Sequence, residues 1–189
     1  MLYQFPSLDE IAHDIVELMD SMYIRSAMGF GEGAGANILA RLAVYYPNRL
    51  KGLVLIDSSG GAAGVEEHIL SGIYHWKQGS AKIVDKMLKT LTYYKIGTGR
   101  EEINCAKLNS ENIGRFLEVY IKRTEILPLI KNLKVETLLL TGSRSPFIQD
   151  AYHINQRNPR ETTLAVIDNA TDVLFEAVGS YIYEFMTDL

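Results

Sequence analysis

The chain is short of cysteine, of sustained apolar runs and of clustered charge, and each shortage removes a class of protein. Cys105 stands alone, so no internal disulfide can form and the composition suits a reducing compartment. No apolar stretch approaches the roughly 20 residues a membrane-spanning helix needs. The opening residues, M-L-Y-Q-F-P-S-L-D-E, have neither the basic start nor the apolar core of a secretory leader. Net charge is −4 with no long basic run, which leaves no electrostatic footprint for nucleic acid. Repeats and low-complexity segments are absent. What is present is an ordinary globular composition: 189 residues, 47% hydrophobic and 22% charged, enough for a single domain with its own core. A cytoplasmic protein is the expectation.

Periodicity predicts strands alternating with helices. Ser7-Leu8-Asp9-Glu10 reads as a helix start with a capping box, followed by apolar Ile11, Ile15, Leu18 and Met19. A short strand is expected over Ile24–Met28, a helix over Ala36–Tyr46, and a strand buried on both faces at Gly52–Ile56. The stretch from 60 to 131 reads as helices without clear strands and is expected to be a helical cap insertion. Strands follow at Val135–Leu140 and Thr162–Ile167, with a helix between them near Asp150–Gln156 and a last helix at Val178–Met186. The alternation predicts an α/β fold: a mostly parallel sheet sandwiched between helices in three layers, with ligands received at the C-terminal ends of the strands.

Between the first strand and its helix lies Met28-Gly29-Phe30-Gly31-Glu32-Gly33-Ala34-Gly35. A strand–tight turn–helix unit of this kind is the geometry of the G-x-S-x-G elbow, which lifts a serine hydroxyl out of the backbone beside an amide N–H. The expected serine position falls on Gly31, which has no side chain. The same glycines also match the loose dinucleotide fingerprint as Gly29-x-Gly31-x-x-Ala34, with Asp57 ending the next strand where a ribose-binding acid would sit. Glu32 speaks against that second reading, because it places a carboxylate inside the supposed phosphate loop.

The run N-R-L-K-G-L-V-L-I-D at Asn48–Asp57, just after the elbow helix, resembles an α/β-hydrolase. Taken with Y-x-F-P-S-L-D-E at the start and G-F-G-E-G-A-G-A-N-I-L-A-R, it resembles more closely the N-myc downstream-regulated (NDR) family. Asn109–Glu125 is similar to that family's late cap helix, and L-L-L-T-G-S-R-S-P at 138–146 to its penultimate strand and turn. The resemblance runs in order over nearly the whole chain. It implies a hydrolase fold without catalysis, and it implies that the family's first strands and Ser/Thr-rich tail are missing, as in a truncated or divergent member. The Ile24–Met28 strand is then expected at an exposed apolar edge, open to pairing.

In such a fold the nucleophile, acid and base follow successive strand ends. Gly31 takes the nucleophile position; Ser145 takes the acid position in Gly142-Ser143-Arg144-Ser145; Thr171 takes the histidine position in Asn169-Ala170-Thr171-Asp172. No histidine follows His153. A rearranged set using Asp57 with Ser58 or Ser59 lacks a base. His13, His68, His75 and His153 have no metal-ligand spacing with Cys105, so neither metal nor cofactor is expected. The cap aromatics Tyr74, Trp76, Tyr93, Tyr94, Phe116 and Tyr120 either pack the cap or form a partner face, and Lys86, Lys89, Lys122 and Arg123 read as solvated charges. The function expected is a pseudo-hydrolase that binds protein partners through the cap or cleft, with the cleft also able to hold a small molecule weakly. What the resemblance adds is cytoplasmic signalling in differentiation, growth or stress. The alternatives are a weak esterase, a dinucleotide-binding enzyme, or a fragment with no function of its own.

Overall fold

The computed structural model describes residues 5–62, 109–171, 173 and 179–188. Within these, the elements run α1 (Leu8–Ser21), β1 (Ala27–Glu32), α2 (Ala34–Tyr45), a short 3-10 turn (Pro47–Arg49), β2 (Leu50–Ile56), α3 (Ser110–Ile121), α4 (Leu127–Ile130), β3 (Thr137–Gly142), α5 (Ile148–Arg157), β4 (Thr162–Ile167) and α6 (Gly179–Asp188). The four strands form one parallel sheet in the order β1-β2-β3-β4.

The chain divides into two compact units, one of residues 1–7 with 62–124 and the other of 8–61 with 125–189. Much of the expected cap, with Tyr74, Trp76, Tyr93, Tyr94, Lys86, Lys89, His68, His75 and Cys105, lies outside the described residues. In the first unit, α3 is capped by Asn109, whose side chain accepts from the Asn112 amide at 3.0 Å. Phe116 meets Phe5 edge-on and stacks with Tyr120. Arg123, expected as a solvated charge, is instead buried: its guanidinium lies 4.3 Å from the Tyr120 ring centre and donates to the Tyr120 carbonyl. A planar cation that stacks on an aromatic face loses less by leaving water than a lysine would. Lys122 does stay exposed, paired with Glu118 one turn back.

The second unit holds the sheet, and strand alternation decides what each face buries. Leu53, Leu55 and Leu139 point to one side, against Ala36, Ala40 and Ala43 of α2, Ile126 and Ile130 around α4, and Ile154 of α5. Val54, Ile56, Leu138 and Leu140 point to the other, against Val173 and the Ile182 and Phe185 side chains of α6. Each of these large apolar side chains contributes about 1.5–3 kcal/mol by leaving water. Helix α1 packs on α2 through Ala12, Val16 and Leu42. The three-layer α/β sandwich expected from the sequence is present in this unit.

Boundaries differ most at β1. The apolar run Ile24–Met28 suggested an earlier strand, yet Tyr23 has a left-handed backbone (φ 58°), and Arg49 binds the carbonyls of Ile24 and Arg25. Pairing with β2 begins at Ala27↔Leu50 and continues to Glu32↔Ile56. Glycine carries no apolar signal, so Gly29 and Gly31 hid the second half of the strand. β1 pairs with β2 alone among the described residues, and Phe30 on it is about half exposed at 53%. Among the described residues β1 is thus an edge strand, lying later in the chain than the expected Ile24–Met28.

Gly31 and Gly35 supply a paired test of the strand–helix contact. A Cβ on Gly31 would stand 2.8 Å from the Ala36 nitrogen and the Gly35 carbonyl carbon, whereas one on Gly35 meets nothing within 4 Å. Gly31→Ala should lower stability by about 2 kcal/mol or more, as backbone cannot yield like a side chain. Gly35→Ala should be neutral or stabilising by up to ~1 kcal/mol, since alanine loses less backbone freedom in a helix. Urea unfolding of both variants checks the contrast.

Candidate functional site

Parallel strands direct their C-terminal ends to one edge of the sheet, and the register aligns those ends here: Glu32 with Ile56, Ile56 with Leu140, and Gly142 with Ile167. The segments following β1, β2, β3 and β4 therefore share an edge. This is where an open α/β sheet receives ligands.

At the end of β1 the chain turns through Gly33, which has φ 54° and ψ −113° and is the N-cap of α2. Its amide donates to the Ile56 carbonyl at 2.9 Å, and its carbonyl accepts the Asn37 amide at 3.1 Å. A side chain at this position pays a steric penalty that glycine avoids. In the nucleophile elbow that strained residue between strand and helix is the serine. The turn is thus centred on Gly33 rather than on Gly31, where the sequence reading set the serine position. Gly31 lies in β1 opposite Leu55 and supplies the close approach of strand and helix. The motif frame is Gly31-Glu32-Gly33-Ala34-Gly35. The first-turn amides of α2 have no acceptor within the helix.

The same register bears on the dinucleotide fingerprint. Gly29 and Gly31 are both paired residues inside β1, where the fingerprint needs them in the turn that approaches a pyrophosphate.

Asp57 closes β2 with a left-handed backbone (φ 48°) and is buried. Its Oδ1 accepts from the Thr141 and Ser145 hydroxyls, both at 2.8 Å, and its amide donates to the Leu140 carbonyl. Ser145 is buried and also accepts the Phe147 amide. The residue expected at the acid position is therefore a hydroxyl donor to a carboxylate on the neighbouring strand end. Ser58 is buried, and its Oγ is the one buried side-chain oxygen or nitrogen without a hydrogen-bond partner among the described residues. Neither described histidine is placed beside it by any contact: His13 is bonded to Tyr46 and faces Glu17 on α1, and His153 is exposed on α5.

The turns after β3 and β4 are laced together. Ser143 donates its amide to Ile167, Arg144 donates to Ala170, and the Asn169 amide donates to Ser143 Oγ. A Cβ on Gly142 would run into the Ala170 carbonyl oxygen. This brings the Ser145 and Thr171 segments together as a catalytic pair would require, but Thr171 is exposed and has no imidazole. Among the described residues no cluster of three His, Cys, Asp or Glu side chains is placed to hold a metal.

Sequence reasoning missed a buried polar line behind the elbow. Arg41 and Asn37 of α2 are both fully buried. Arg41 Nε donates to Asn37 Oδ1, Arg41 Nη1 reaches Asp9 Oδ1 at 2.7 Å, and Asn37 Nδ2 donates to the Ser59 carbonyl. The available signal was their i, i+4 spacing among small and apolar residues, which puts both on one inward face. Tyr45 also binds Asp9, and burial, with the Asp9 charge and hydrogen bond adding to it, pushes its phenol above the usual range.

Placing a carboxylate at Ser145, the expected acid position, should be harmful. Ser145→Asp would set a second carboxylate within hydrogen-bond reach of Asp57, so one of the two must hold a proton and its folded-state pKa rises. Stability tied to a raised pKa is full at low pH and lost as pH rises. The variant should approach wild-type stability near pH ~3.5 and fall increasingly below it from about pH 4 upward. Thermal melts across that range measure it.

The chain matches the family model described as Ndr family over residues 2–186. An uncharacterized Caenorhabditis elegans protein is 34% identical over 183 residues, covering 92% of this chain and 56% of the relative. Protein NDRG3 of Xenopus laevis is 28% identical, covering 86% and 47%, and an NDRG-like protein of Dictyostelium discoideum is 28% identical, covering 96% and 60%. The chain thus spans about half the length of these relatives. Among solved structures, a hydrolase from Pseudomonas aeruginosa PA01 superposes with a TM-score of 0.79 at 15% identity, covering 98% of this chain and 74% of that one. A thermophilic esterase from Thermogutta terrifontis gives 0.76 at 18%, covering 100% and 75%. At such identities the likeness shows the α/β-hydrolase fold.

Proposed function

The chain belongs to the Ndr family, and on that premise we propose that it is a non-catalytic hydrolase-fold protein that works by binding protein partners. The observation that carries the reading is Gly33: the residue with the elbow's strained backbone has no side chain, so nothing there attacks an ester or amide. Ser145, spent on Asp57, and Thr171, exposed and without an imidazole, support the same reading from the neighbouring strand ends. Catalysis of this type needs nucleophile, base and orienting acid together. A cytoplasmic signalling role in differentiation, growth or stress belongs to the proposal as well; no helix among the described residues is long and apolar enough to cross a membrane.

Incubation with short- and medium-chain p-nitrophenyl esters should give turnover equal to that of the heat-denatured chain. Turnover well above that control, abolished by Ser58→Ala, would overturn the non-catalytic half. Saturable quenching in a nicotinamide dinucleotide titration would favour the cofactor alternative. Gly33→Ser should fold, cost about 1–2 kcal/mol for a side chain at positive φ, and gain no esterase activity. For the binding half, the 189-residue chain used as bait in cytosolic extract should retain at least one protein in stoichiometric amount, and retention of none counts against it.

A further inference from the structure

The polypeptide passes between its two compact units three times: between Ser7 and Leu8, Gly61 and Ala62, and Thr124 and Glu125. Within the sheet-bearing unit, residues next to all three passages are tied to one another. Asp9, just inside the first, accepts from Arg41. Arg41 holds Asn37, and Asn37 holds the carbonyl of Ser59, just before the second passage. The next carbonyl, Gly60, accepts the amides of Ile126 at 2.9 Å and Leu127 at 3.1 Å, just beyond the third. A Cβ on Gly60 would meet Leu127 Cδ2 at 2.8 Å, so these last two segments are pressed together as well as bonded.

We infer that the line Asp9–Arg41–Asn37–Ser59–Gly60–Ile126 is a positioning device that makes the three passages open together rather than one by one. The reason lies in what partial release would leave behind. Arg41 and Asn37 are fully buried. If Asp9 lets go, a fully buried guanidinium loses an anionic partner that water cannot replace. The strain then falls on Asn37, whose amide holds the loop after β2 and whose carbonyl oxygen holds Arg41. Buried polar groups that share partners in this way are costly to leave half satisfied, so the line tends to be closed or open as a whole. An exposed ion pair would tie down one segment alone. Here a chain of buried partners on α2, the same helix that begins at the elbow, joins the entry of α1 to the loop after β2, and Gly60 joins that loop to the entry of α4. The Asp9 side chain is partly exposed, which makes it the natural point at which to loosen the line without opening the core.

Hydrogen exchange read by mass spectrometry on the whole chain tests the coupling. Asp9→Asn keeps the shape of the side chain and removes its charge. Exchange should rise about tenfold or more, as for a cooperative local opening, in peptides over residues 8–12, 57–61 and 125–130 together, with β3 and β4 at their wild-type rates. Asp9→Glu, which keeps the charge, should restore most of the protection. Gly60→Ala attacks the line from its other end and should raise exchange over residues 8–12 too. If Asp9→Asn loosens residues 8–12 alone, or loosens β3 and β4 equally, the device does not exist. The same holds if Gly60→Ala frees the loops and leaves the start of α1 protected.

Discussion

The approach of α2 to β1 governs much of what the sheet-bearing unit can be. At Gly31 the helix backbone comes so near the strand that a single methyl group would lie 2.8 Å from main-chain atoms. That proximity requires the sharp turn at Gly33, which sets the direction of α2 and ties its start to the end of β2 through Ile56. It also brings Ala36 and Ala40 onto Leu53 and Leu55, so the small side chains of α2 follow from the same constraint. In a catalytic relative of this architecture the strained turn exposes a hydroxyl. In this chain the turn and the tight packing remain with no hydroxyl to expose.

Two buried polar clusters flank that turn, and both have turned site-like groups to internal use. Asp57 is a carboxylate at a strand end, where an acid has chemical value, yet it is occupied by the hydroxyls of Thr141 and Ser145. Charged acceptors of this kind strengthen each such bond to about 1.5–3 kcal/mol. The Asn37–Arg41 pair sits behind the elbow in the same way and holds Asp9 of α1 and the loop at Ser59.

The fold was legible where side chains speak and illegible where they do not. Thr162–Ile167 was read with its true limits because β-branched residues, Thr162 and Thr163 at one end and Val166 and Ile167 at the other, mark both ends. The run Gly52–Ile56 was read as buried on both faces, and the core bears this out. At β1 the alternation of glycine with Met28 and Phe30 erased the pattern, so the strand was placed early and the elbow two residues short of Gly33. Only the backbone angle identifies that residue, and no propensity announces it. The burial of Arg123 and Arg41 was missed for another reason. Helical spacing already sets Tyr120 three residues before Arg123 and Asn37 four before Arg41, but Asp9, 32 residues from Arg41, is brought near only by the tertiary structure.

The strand order has a kinetic side. Because the sheet runs β1-β2-β3-β4, every strand sits beside its sequence neighbour, but the intervals are unequal. β1 to β2 and β3 to β4 are each bridged by fewer than about 20 residues, while β2 to β3 spans about 80; loop-closure entropy makes that central junction roughly 1 kcal/mol costlier to close than either neighbour. Two local β-α-β modules, Ala27–Ile56 and Thr137–Ile167, are thus favoured to form early and to meet along Leu53–Ile56 last. The seam of the sheet would then be its middle, where the burial of Leu53, Leu55 and Leu139 is greatest.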